Sequence, residues 1–132
     1  MGAVLLDTTV LIDLLRGRPD ARRRVRALRA SGDTPYVCAI NVEETVRGLR
    51  PQEEPQARSL FAGLRMAPLG EHEGWTAGEW RRAHAASGYT LAQADCLVAA
   101  AARSVGARLA TGNPKDFPME GIAVEHWPAG GA

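Results

Sequence analysis

Short apolar runs alternate with helix-spaced stretches along all 132 residues of this chain, and this alternation limits its folding more than any other property. The runs are AVLL (3–6), PYVCAI (35–40), RMAPL (65–69), ARLAT (107–111) and IAVEHW (122–127). Strands this short and this apolar suit burial on both faces. With helices between them, they indicate a central parallel sheet covered by helices, an α/β fold. The length is that of a single domain, 1–132, able to bury a sizeable core without staples.

The helical stretches carry their own start and stop signals. One over 9–16 stops at Gly17, a C′ glycine. Pro19 suits the first position of the next, which runs to residue 30. Asn41 with Glu44 three residues on reads as a capping box opening a helix that Pro51 ends. Further helices are expected over 53–64 and 71–86, the latter weakened by Gly74 and Gly78. Thr90 with Gln93 reads as a second capping box, opening LAQADCLVAAAARSVG, which Gly106 closes. The tail PAGGA, 128–132, is expected to fray.

Composition excludes less than it suggests. A net charge of +1 selects no partner. Fifteen of the 16 basic residues are arginine, seven of them between Arg16 and Arg29. Arginine suits phosphate contacts, and a GC-rich genome produces the same bias. Cys38 and Cys96 stand far apart, in no CxxC, and read as small buried hydrophobes of a reducing compartment. No apolar run reaches membrane-spanning length, and the N-terminus lacks the pattern of a signal peptide. A cytoplasmic protein with no membrane partner is expected. His72, His84 and His126 have no evident pairing. HEGWT lacks the second histidine of HExxH, so a zinc-protease reading fails.

The carboxylates carry the chemistry. Asp7 follows the first strand, and in parallel sheets ligands bind beyond the carboxyl ends of strands. It either caps the 9–16 helix or faces such a ligand. Asp95 falls in an apolar helical stripe with Leu91, Val98 and Ala102. Either it is stabilised by the helix dipole, or it is a buried acid in need of a partner. Glu44 completes a capping box or faces the site, with Glu43 its rival. Asp116, in GNPKDF, is a turn residue or a fourth acid. Asp13, spaced helically with Thr9, Arg16 and Gly17, is expected to face solvent. Several acids at one sheet edge cannot all stay ionised without a cation. Oxygen-only ligation suits Mg²⁺ or Mn²⁺, and such centres activate water for phosphoryl chemistry.

LLDTTVLIDLLRG, INVEETVRG, LAQADCLVAAAA and LATGNPKDF, in this order, resemble the four acidic motifs of the PIN domain, and specifically of VapC-type toxin ribonucleases from bacterial toxin–antitoxin pairs. The resemblance spans essentially the whole chain. It implies a three-layer α/β/α fold and a catalytic, metal-binding set of Asp7, Glu44, Asp95 and Asp116. The Glu-three-residues-Gly register selects Glu44, because Gly48 follows it by four; Thr45 stands where the family often has leucine. Thr8, Thr111 and Asn113 are implied as supporting residues. One or two Mg²⁺ or Mn²⁺ ions, an RNA substrate such as tRNA or rRNA, a homodimer and a VapB-type antitoxin that covers the acidic pocket within a larger complex are implied as well.

RNA approaching an acidic pocket needs flanking cations, and Arg16, Arg18 and the Arg22–Arg24 run are the candidates. Trp75 and Trp80 either stack on bases or pack. Two other classes compete. A receiver-like signalling module would use Asp7 as phosphoacceptor and Lys115 as its partner, yet VCAIN supplies no mid-sheet aspartate. A non-catalytic metal- or RNA-binding module would keep the acids without the chemistry. A haloacid-dehalogenase phosphatase would need DxD, and position 9 is threonine.

Overall fold

A computed structural model describes residues 2–130. Five strands form one parallel sheet: β1 (Ala3–Leu6), β2 (Thr34–Val37), β3 (Arg65–Met66), β4 (Ala107–Thr111) and β5 (Val124–His126), in the order β3-β2-β1-β4-β5. β1 lies at the centre, with Leu5 opposite Tyr36 of β2 on one side and Leu109 of β4 on the other. Alternation along β1 divides the core. Leu5 joins Leu109, Cys96 and Val98 on one face, while Val4 and Leu6 join Val10, Leu11 and Val37 on the other. Leu5, Leu6 and Leu109 have no exposed surface, each contributing about 2–3 kcal/mol by leaving water.

α1 (Thr8–Leu15), α2 (Pro19–Ala30) and α4 (Glu54–Ala62) pack on the Val4/Leu6 face. α5 (Glu71–Ala86) and α6 (Gln93–Ser104) pack on the Leu5 face. α3 (Ala39–Arg47) straddles the carboxyl edge, giving Ile40 to one core and Val42 to the other. This is the expected α/β/α architecture. α6 buries Ala99, Ala100, Ala101 and Ala102 in succession. Side chains that small leave it room between the sheet and α5. Gly17 and Gly106 leave their helices at φ +70° and +65°, in the left-handed region that favours glycine. Both cysteines are free and buried.

The structure corrects five local expectations. β2 ends at Val37, and Cys38 is the N-cap of α3, so Asn41 sits at N3 and does not open the helix. Asn41 Oδ1 accepts the Cys38 N–H at 2.9 Å, and Glu44 completes no capping box. α6 starts at Gln93 behind Ala92, so Thr90 caps nothing. The third and fifth strands are shorter than their apolar runs, at Arg65–Met66 and Val124–His126. Asp13 is buried, with its carboxylate accepting the Gly130 N–H at 2.9 Å. The segment expected to fray is therefore tied down as far as residue 130; residues 131–132 lie outside the described residues.

Candidate active site

The strand order reverses between β1 and β4, because their following connections leave toward opposite faces. That point opens a crevice at the carboxyl edge, and four of the sequence motifs end there. An open pocket of about 390 Å³ is lined by Asp7, Thr8, Thr9, Glu44, Arg47, Gly48, Asp95, Asn113 and Asp116. A larger groove of about 890 Å³ between α3 and α4 is walled mainly by Val42, Val46, Phe61 and Met66. It gathers no set of acids, so the smaller pocket is the candidate site.

Asp7 occupies the N-cap position of α1, yet its side chain does not cap the helix. Its backbone N–H donates to the Ala110 carbonyl at 2.9 Å, continuing the β1–β4 ladder, while Oδ2 accepts the Thr111 hydroxyl at 2.7 Å. Thr111 Oγ1 also accepts the Asn113 N–H at 3.0 Å. A hydroxyl has one hydrogen to give, so with Asn113 occupying a lone pair, Thr111 points its proton at Asp7. The same device orients Glu44. Asn41 Nδ2 donates to Thr8 Oγ1 at 3.3 Å, and Thr8 donates to Glu44 Oε1 at 2.7 Å. Asn41 is wholly buried, and the Cys38 N–H on its oxygen fixes which end of the amide faces Thr8.

Asp95 lies in the first turn of α6, half-buried, and forms no ion pair among the described residues. Desolvation, then the charges of Asp116, Asp7 and Glu44, push its carboxyl up to about 6. Burial is also the main cause that raises Asp7, with Glu44 and Asp116 adding to it and the Thr111 and Thr8 hydrogen bonds opposing. Asp116 ends the one-turn helix Pro114–Asp116 beyond β4.

Arg47 is the one cation lining this pocket among the described residues, and sequence reasoning missed it. Glu43 holds it at the rim through two contacts of 3.1 and 3.0 Å. Glu43 is thus engaged on the outer face while Glu44 enters the pocket. Its signal in the sequence was position, one residue before Gly48 in the second motif; arginine density pointed instead to α2. Arg16, Arg18 and Arg22 do not line the pocket, and Arg22 borders a separate groove with Leu14, Leu15 and Leu60. Trp80 packs on the Leu5-side core and Trp75 is exposed. Thr9 was also missed. Its Oγ1 accepts the Gly112 N–H at 2.9 Å and ties the loop after β4 to α1.

The donor set fits a hard divalent cation. Its ionisable side chains are carboxylates apart from Arg47, burial and the neighbouring acids raise Asp7 and Asp95, and the only arginine is already paired. Among the described residues no three of these side chains stand close enough together to hold an ion as they are arranged; the acids line an open pocket, which leaves room for water and substrate. The unrelieved charge has a consequence for stability. Asp95 titrates near 3.8 when unfolded and near 6 when folded. Below pH 4 it costs nothing. Between about pH 4 and 6 the folded chain holds the proton longer, so the metal-free protein loses stability as pH rises, and above 6 the full penalty stands. Solvent screening of a partly exposed group reduces this to about 1 kcal/mol. Asp95→Asn is therefore expected to melt about 3 °C higher than the parent in chelator at pH 7. A lower melting point would assign Asp95 to helix-end stabilisation instead.

A five-stranded parallel sheet with an acidic crevice at its reversal point defines the class, and the PIN domain family model matches residues 4–118. The chain belongs to the PIN domain family. Its relatives include Ribonuclease VapC10 of Mycobacterium tuberculosis, 32% identical over 116 residues that cover 88% of this chain and 86% of the relative. Ribonuclease VapC19 of the same organism is 30% identical over 115 residues, 87% and 92% of the two chains. The fold matches a crystal structure of VapBC2 from Rickettsia felis bound to a DNA fragment from its promoter. The TM-score is 0.83 and the coverage 95% of this chain and 98% of that chain, at 21% identity.

Proposed function

We propose that this chain is an endoribonuclease toxin of the VapC kind, dependent on Mg²⁺ or Mn²⁺ and restrained by a VapB-type antitoxin. The observation that carries the reading is the convergence of Asp7, Glu44, Asp95 and Asp116, from four separate motifs, on one pocket whose one lining cation among the described residues, Arg47, is already paired with Glu43. Those four residues would hold one or two ions. When bound, the ion supplies a Lewis acid that acidifies water and neutralises charge on a phosphodiester. Thr111 and Thr8 keep Asp7 and Glu44 facing the pocket, while Asp95 and Asp116 have no such tie among the described residues and adjust to what is bound. Arg47 takes the role expected of Arg16, Arg18 and Arg22, offering a guanidinium to an RNA phosphate at the rim. Water adds to phosphorus and the bond to O3′ breaks, leaving 5′-phosphate and 3′-hydroxyl ends.

Support for the partner comes from the VapC relatives and from exposed apolar surface. Val46 and Met66 are each more than half exposed beside the α3–α4 groove, surface that an antitoxin segment would cover. A homodimer joined to antitoxin in a larger cytoplasmic complex completes the reading, with tRNA or rRNA as substrate. No helix among the described residues is long and apolar enough to cross a membrane.

Purified chain, free of antitoxin, is expected to cut total RNA into discrete fragments with Mg²⁺ or Mn²⁺ and to stop in EDTA. End-sequencing names the site. A folded protein that binds Mn²⁺ yet leaves every RNA intact would move the assignment to a non-catalytic module.

A further inference from the structure

Asp13 is a buried carboxylate that the chemistry above does not use. It lies on α1, well beyond Asp7, and forms no ion pair among the described residues. What it holds is a backbone amide 117 residues away, the Gly130 N–H. Between β5 and that amide the chain crosses the exit of β4. Trp127 N–H donates to the Thr111 carbonyl at 2.8 Å, and its ring is buried with the Arg24 guanidinium 5.9 Å from its centroid. Ala129 then packs on Gly112, where a Cβ would stand 3.1 Å from the Ala129 methyl and 3.2 Å from Thr9 Oγ1. Residues 127–130 thus form a strap over the segment Thr111–Gly112–Asn113, the segment that orients Asp7 and leads to Asp116.

We infer that Asp13 is a positioning residue for the active site, acting through the Gly130 amide to clamp this strap onto the loop after β4. The inference rests on the ribonuclease reading for its effect on rate, and on geometry alone for the clamp. α1 carries Asp7, Thr8 and Thr9 at one end and Asp13 further along, so the strap fixes the β4 exit to the same helix at two places, Thr9–Gly112 and Asp13–Gly130. A charged acceptor gives the second tie more strength than a neutral one, and losing a group that orients metal-binding residues commonly costs tenfold or more in activity.

Two variants remove the tie from opposite sides. Asp13→Ala deletes the acceptor. Gly130→Pro deletes the donor, and the φ of +71° at this position is closed to proline. Each is expected to lower kcat for RNA about tenfold with KM unchanged, and to speed hydrogen exchange at the Gly112 and Asn113 amides about tenfold. The double variant is expected to be no worse than either single one. Asp13→Asn keeps an acceptor oxygen and is expected to stay within about threefold of the parent. Gly130→Pro leaves α1 intact, so it decides the matter if Asp13→Ala folds poorly. Unchanged exchange and unchanged kcat in a folded variant, or strictly multiplicative effects in the double variant, would overturn the inference. Faster exchange in the variants of a parent that cuts no RNA would uphold the clamp and reject the ribonuclease reading.

Discussion

Asp7→Asn is expected to abolish RNA cleavage, with a loss of about a thousandfold or more, while the protein stays folded. Asp7 lies at the reversal point of the sheet, only 9% exposed, its orientation fixed by Thr111. Asparagine has the same shape and an oxygen that still accepts the Thr111 hydroxyl, so the β1–β4 junction survives. What it lacks is the negative charge that a divalent ion needs. Weakening that ion's hold on the reacting phosphate by about 4 kcal/mol gives the thousandfold. Burial and the neighbouring Glu44 and Asp116 already raise the Asp7 pKa, so removing its charge relieves strain in the metal-free state. Initial cleavage rates beside thermal melts test both halves. Activity within tenfold of the parent would remove Asp7 from the chemistry. A variant that fails to fold would make it a structural residue.

The second large effect separates neighbours. Glu44→Gln is expected to lower cleavage about a hundredfold, whereas Glu43→Gln stays within about threefold. Glu44 faces the pocket and takes the Thr8 proton at 2.7 Å. Glutamine can still accept that proton but brings no charge to the acid set. Glu43 pairs with Arg47 on the exposed side of α3, and exposed pairs of this kind contribute at most about 1 kcal/mol. Its loss frees Arg47 without removing it. Equal effects at the two positions would show that α3 presents its acids differently from the arrangement described.

The reason Glu44 was ambiguous in the sequence is instructive. Asn-x-x-Glu is the pattern of a capping box, but the same asparagine at N3 accepts the N-cap amide from behind, and local sequence does not tell the two apart. The difference lies in Cys38, buried in the Leu5-side core, which starts α3 three residues earlier. Thr90 failed for a similar reason, since α6 begins where the chain meets the sheet. By contrast, the 71–86 helix was legible to the residue in spite of Gly74 and Gly78. Asp7 stood out because it follows the first apolar run and Asp95 because it interrupts an apolar helical stripe, and with Glu44 and Asp116 they line one pocket. Asp13 was misread because its helical neighbours are polar, and what covers it comes from the far end of the chain. Arg47 was missed because residue counts favour dense clusters over the one position that faces a pocket.

The central place of β1 also bears on timing. The first strand to be synthesised is the one that waits longest for its neighbour, since β4 spans residues 107–111. The bond that orients Asp7 joins residues 104 apart, and the acid at 116 comes later still. A nascent chain on the ribosome therefore carries Asp7, Glu44 and Asp95 before it carries the strand whose end orients Asp7. A strand order that withholds the site until the last fifth of the chain emerges acts as a built-in delay between synthesis and assembly.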